Sequence, residues 1–323
     1  TQSRSSAASD VYKRQTSTTA PTDSAAFFPG FAPLDIEAGG VHFAGAVGGE
    51  GPPLLLLHGY PQTHITWRRV APELARTHTV VMPDLPGYGV SRTLESSTRW
   101  TKQRVAQALT ALMSRLGHER FAVVGHDRGA RAGYRLALDH PARVSAFASL
   151  TVVPTLDAMA AMDFRSAARA FHWFFFAQEA DLPERLLAAD PDAFIDRVLH
   201  AMTGGRDFIE PAARDAYRSA FRDPAVRHAI CEDYRAALNE DLALDEADRA
   251  AGRQMPCPVL VLWPDAEALP GKPTPLDTWQ RWATDVAGAA IRGGHLQPED
   301  APDEVLAALL PFLARHRSDV FSR

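Results

Sequence analysis

The sequence predicts an α/β fold: a mostly parallel sheet with helices on both faces and an all-helical cap inserted late in the chain. Three observations predict it. Short apolar runs alternate with helical patterns along most of the chain, which is how a parallel sheet covered on both faces is written. One such run, Phe121 to Val124, leads through Gly125-His126-Asp127-Arg128-Gly129 directly into a helical pattern. The alternation then stops between Pro154 and Gln254, where no buried-strand pattern appears and aromatics gather (Phe164, Phe171, Trp173, Phe174, Phe175, Phe176). The expected organisation is a disordered tail over 1–26, a core from 27–153 and 255–323, and a helical cap over 154–254.

The elements follow in order. Leu34–Glu37 and Val41–Val47 flank Gly39-Gly40 and predict a β-hairpin. Leu54–Leu57, after Pro52-Pro53, is a continuous apolar run and predicts a strand buried on both faces. Thr79–Met82 is the next strand, and Asp84-Leu85-Pro86-Gly87-Tyr88-Gly89 a turn cluster in which Asp84 has a structural role. Trp100–Leu116 carries apolar residues at helical spacing and stops at Gly117. A helix from the Gly125–Gly129 turn to about His140 and a buried strand over Val144–Val153 come next. After the cap, Met255–Trp263 reads as a strand, Pro275–Asp285 as a helix, Ala289–Ile291 as a short strand and Asp300–His316 as the closing helix.

Composition bounds the function. Of 323 residues, 46% are apolar and 23% charged, as in a globular protein, and the net charge of −5 gives no sign of nucleic-acid binding. Cys231 and Cys257 are the only cysteines, which points to a reducing, cytoplasmic setting rather than a disulfide framework. No apolar run reaches membrane-spanning length. The Ser-, Thr- and Ala-rich start lacks the apolar segment of a secretory signal.

The strand, Gly-x-Asp-x-Gly turn and helix around Asp127 resemble the nucleophile elbow of α/β-hydrolases. The usual serine is replaced by a carboxylate, which is already ionised at neutral pH and needs no base before it attacks. His58-Gly59-Tyr60-Pro61 follows the strand Leu54–Leu57, where this fold places one backbone donor of the oxyanion hole. The donors expected are the N–H groups of Tyr60 and Arg128. His295, in Gly293-Gly294-His295, stands after the last short strand, where the fold places its catalytic histidine; otherwise it is an ordinary loop histidine. Arg128 and Arg131 share one helix face, and cations in a first helical turn oppose the macrodipole. Either they grip a substrate carboxylate bidentately, or they pair with surface acids.

Together, Gly-His-Asp-Arg-Gly-Ala-Arg, His-Gly-Tyr-Pro-Gln-Thr-His, Asp-Leu-Pro-Gly-Tyr-Gly, His172-Trp173 and Cys231-Glu232-Asp233-Tyr234-Arg235 resemble the fluoroacetate dehalogenases, over about residues 27–316. The resemblance implies that Asp127 is the nucleophile and His295 the base. It implies that Arg128 and Arg131 bind the carboxylate of a 2-haloacid, and that His172, Trp173 and Tyr234 take the halide. Any aromatic pair could instead place His172 and Trp173 in the cap's packing. No metal or organic cofactor is implied; a small haloacid is the expected partner, with neither nucleic acid nor membrane, and a homodimer is allowed. The chain departs from the pattern in two places. Thr151 stands where the family keeps the acid that orients the histidine, and Met202 where it often has a tryptophan. A substitute acid is expected in the loop after Val259–Leu262, with Glu267 first and Asp265 second. Two other readings stay open: an epoxide hydrolase using Tyr217 and Tyr234 as acids, and a ligand-binding protein without catalysis.

Overall fold

A computed structural model describes residues 26–95, 99–265 and 273–316. The tail expected at 1–26 lies, but for its last residue, outside the described residues. The strands are β1 (Ala32–Ala38), β2 (Val41–Gly48), β3 (Pro53–Leu57), β4 (Thr79–Pro83), β5 (Arg92–Thr93), β6 (Phe121–His126), β7 (Val144–Leu150), β8 (Val259–Pro264) and β9 (Val286–Ile291). Among the described residues they form one sheet in the order β1-β2-β4-β3-β6-β7-β8-β9, with β5 paired to β2. The hairpin β1–β2 is antiparallel, and every pair from β4 through β3, β6, β7 and β8 to β9 is parallel. Strands β3, β6, β7 and β8 are buried along their whole length, as their unbroken apolar runs require.

Several boundaries differ from the sequence reading. β7 stops at Leu150 because Thr151 takes a positive φ of 71°, which leaves the extended region. β8 begins only at Val259, since Pro256 and Pro258 have no N–H to give a ladder. The helix expected over Pro275–Asp285 ends at Trp279. Trp282 O instead accepts from Met255 N, and Ala283 bridges to Met255, which draws the chain off the helical path. The closing helix is broken at Ala301, the residue before Pro302, into Gln297–Asp300 and Pro302–Arg315.

Between β7 and β8 the described chain is all helical, from Thr155–Ala160 to Glu240–Ala250. This insert is fastened to the core by polar contacts. Glu210 pairs with Arg68 and Arg69, Arg206 with Asp300, and Tyr217 donates to Glu299 at 2.5 Å.

Asp84 has the structural role its turn cluster suggested. It is fully buried, and its carboxylate accepts from His64 N and Nδ1 at 2.8 Å each and from Val90 N at 2.8 Å. Burial pushes its carboxyl up, but the neighbouring His64 and His58 outweigh this and hold it at about 2. A pKa lowered on folding stabilises above the unfolded value of 3.8 and is lost as pH falls through 2. Asp84→Asn is therefore expected to cost about 2 kcal/mol at neutral pH. In denaturant titrations at stepped pH, the variant's deficit is expected to shrink between pH 4 and pH 2.

Candidate active site

The site forms where the parallel strands end. β3 lies beside β6, β6 beside β7, and β8 beside β9, all running the same way. The loops after β3, β6 and β9 therefore carry Tyr60, Asp127 and His295 to one edge of the sheet, where open α/β sheets place their ligands.

Asp127 caps the helix Arg128–Asp139 with φ 49°, a strained value for a residue with a side chain. The turn is tight enough that two glycines are obligatory. A Cβ on Gly125 would lie 2.4 Å from Ala130 Cα, and one on Gly129 2.2 Å from Leu57 O. Tyr60 N donates to Asp127 Oδ1 at 2.9 Å, and His295 Nε2 lies 3.6 Å from Oδ2. One carboxylate oxygen is thus held by a backbone donor and the other faces the imidazole. Burial pushes the Asp127 carboxyl up, but His295, His126 and Arg128 hold it far below the usual carboxylate range, so it is ionised at neutral pH. His126 Nε2 donates to His295 O at 2.7 Å and fixes the loop; burial lowers His126 to about 4, which keeps it neutral.

Arg128 and Arg131 are both buried. Arg128 pairs with the equally buried Asp233, through Nε to Oδ2 at 2.8 Å and Nη2 to Oδ1 at 2.9 Å. Arg131 Nη1 donates to Val153 O at 3.0 Å and Thr155 Oγ1 at 2.9 Å. For Arg128 neither reading survives unchanged. The acid paired with Arg128 is a buried acid of the insert rather than a surface acid, and it takes the bidentate edge expected to meet the substrate. Arg128 Nη1 and Arg131 Nε remain as buried donors with no protein acceptor.

Trp173 and Tyr234 close over these groups. The Arg128 guanidinium lies 5.1 Å from the Trp173 ring and 4.5 Å from the Tyr234 ring; that of Arg131 lies 4.8 Å from Trp173. Such cation–π contacts hold planar cations in place where water is excluded. His172 packs at 5.5 Å from the Tyr60 ring and 5.6 Å from Tyr234, and Trp173 at 5.1 Å from Tyr234. Burial lowers His172 to about 4, against the pull of Asp127, so it is neutral at pH 7 and presents an N–H.

The structure thus brings together Asp127, His295, Arg128, Arg131, His172, Trp173, Tyr234 and Tyr60. Glu267 lies outside the described residues, and Asp265 is exposed. Thr151 Oγ1 is buried and makes no protein hydrogen bond. The Tyr217 hydroxyl is committed to Glu299, and Met202 packs partly buried against the core. Sequence reasoning missed the partners of Arg128. Asp233 stood in the quoted Cys231–Arg235 motif, and the unfavourable place of Arg128 at a helix start was the signal that it needed an anion.

Comparison with known proteins agrees with this architecture. Residues 52–266 match the family described as alpha/beta hydrolase fold. A fluoroacetate dehalogenase of Burkholderia sp. is 40% identical over 91% of this chain and 97% of its own. A soluble epoxide hydrolase of Corynebacterium sp. is 31% identical over 82% of this chain and 91% of its own. Among solved structures, a Thr-to-Asp variant of a proposed epoxide hydrolase from Pseudomonas aeruginosa, with bound MFA, superposes with a TM-score of 0.87. It is 55% identical and covers 90% of this chain and 98% of its own.

Proposed function

Because this chain belongs to the α/β-hydrolase fold family and, within it, to the fluoroacetate dehalogenase family, we propose that it hydrolyses a haloacetate to the 2-hydroxyacid and halide. One observation carries the reading: beside an ionised Asp127, Arg128 Nη1 and Arg131 Nε are buried with no protein acceptor. Buried donors on a cation ask for an anion, and a substrate carboxylate supplies one.

In this reaction the substrate carboxylate sits on Arg128 and Arg131. Asp127 Oδ2, the oxygen not held by Tyr60, attacks the halogen-bearing carbon. The carbon–halogen bond breaks, and the halide leaves with its electron pair toward His172, Trp173 and Tyr234, each of which has a hydrogen to donate. An ester now joins substrate and Asp127. Water gives a proton to His295 and attacks the ester carbonyl. The oxyanion forms on Oδ1, already at the Tyr60 N–H, with the Arg128 N–H as the second donor. Collapse breaks the bond between the Asp127 carbonyl carbon and the substrate oxygen; that oxygen takes the proton back from His295 to give the 2-hydroxyacid, and the Asp127 carboxyl loses its proton to solvent.

Halide release from a panel of haloacids, set against epoxide opening, tests the proposal. Diol formation without halide release would replace it with an epoxide hydrolase, and ligand protection without turnover with a binding protein. Arg128→Lys and Arg131→Lys are each expected to lower kcat/KM for haloacetate roughly tenfold to a hundredfold, because a point charge does not reproduce charge-assisted bonds from a planar fork. The wild type is expected to use haloacetamide poorly, and equal rates on acid and amide would remove the arginines from substrate binding.

A further inference from the structure

Asp233 lies in the insert helix Pro224–Leu238, yet its carboxylate is saturated by the core. Oδ1 accepts from Arg128 Nη2 at 2.9 Å and from Lys102 Nζ. Oδ2 accepts from Arg128 Nε and from Tyr88 OH, both at 2.8 Å. The Asp233 backbone carbonyl takes a further bond from Arg128 Nη2 at 3.1 Å. A carboxylate with two donors on each oxygen cannot turn, and neither can the guanidinium fitted to it. That guanidinium also lies 4.5 Å from the ring centre of Tyr234, the next residue along the same helix.

We propose that Asp233, braced by Lys102 and Tyr88, is the positioning residue that fixes Arg128 so that Arg128 Nη1 and Arg131 Nε together receive a single substrate carboxylate. This inference rests on the dehalogenase reading for the substrate's identity. With Nε and Nη2 committed to Asp233, Arg128 has only Nη1 to offer, while Arg131, bonded through Nη1 alone, keeps its Nε edge for the substrate. The site therefore selects one monocarboxylate held between two cations. It also sets the spacing of acid and halide, because Asp233 and Tyr234 share one helical turn. In a 2-haloacid that spacing is fixed by covalent geometry, so a rigid turn discriminates where a loop would not.

The obvious variant, Asp233→Asn, strands Lys102 and Arg128 as buried cations and is liable to unfold. Asp233→Asn combined with Lys102→Met removes one of them. The space vacated borders a cavity of about 640 Å³ lined also by Tyr88 and Trp100, so water can reach it. The double variant is compared with wild type by thermal unfolding, by halide-release kinetics on chloroacetate and chloroacetamide, and by calorimetric titration with acetate. A folded double variant is expected to show KM for chloroacetate and Kd for acetate raised roughly tenfold to a hundredfold, as when the supporting partner of a metal-binding side chain is removed. Its kcat is expected to change less, and its weak use of chloroacetamide to stay the same. Asp233→Glu is expected to recover part of the lost affinity. If wild type releases no halide but its acetate affinity still falls in the double variant, the dehalogenase reading fails and the positioning role stands. Acetate affinity and KM unchanged in the folded double variant, or an equal loss on acid and amide, overturns the role of Asp233.

Discussion

Asp127→Asn is expected to reduce halide release from haloacetate to background, a loss on the order of a millionfold if it matches the removal of a nucleophile in a protease. The carboxamide is uncharged and a poor nucleophile, while its size and its acceptor oxygen for the Tyr60 N–H are kept. The elbow geometry is set by glycine contacts rather than by the carboxylate, so circular dichroism and thermal unfolding are expected to report a folded protein. Substantial turnover in that folded variant would end the covalent mechanism, since Asp127 is the carboxylate placed 3.6 Å from His295 Nε2.

His295→Asn is expected to leave the first half-reaction running and stop the second. One halide per protein is released, and intact-mass and peptide analysis then find a stable adduct on the peptide containing Asp127. Steady turnover is expected to fall by several orders of magnitude, the scale on which the histidine of a catalytic triad acts. An unmodified Asp127 peptide after one equivalent of halide would show that the ester does not wait for His295. The expected acid partner of this histidine is Glu267, and Glu267→Gln is the variant that extends the test to it.

The strands, the elbow and the helical character of residues 154–254 were legible because apolar runs and glycine-bounded turns are local signals. The boundary errors came partly from contacts distant in sequence and partly from local backbone geometry. Trp282 left its helix to accept from Met255, and Thr151 ended β7 through its own backbone angle. Within the site, Asp127, His295, Arg128 and Arg131 could be named from motif order. Their partners could not, because Asp233 reaches Arg128 from 105 positions away, and Lys102 and Tyr88 reach Asp233 from 131 and 145. No periodicity encodes such a meeting. Only the docking of insert on core creates it, and it leaves Arg128 a single donor while Arg131 keeps its Nε edge.

Thr151 is strained where it stands. A β-branched residue at φ 71° pays a steric penalty that aspartate or asparagine, which tolerate the left-handed region, largely avoids. The backbone at the end of β7 thus has a shape that suits an acid better than the β-branched side chain it carries, whose hydroxyl makes no protein hydrogen bond. Thr151 N bonds Leu262 O at 2.8 Å and so anchors β7 to β8, and an aspartate placed here would need no change of backbone to take up the same conformation.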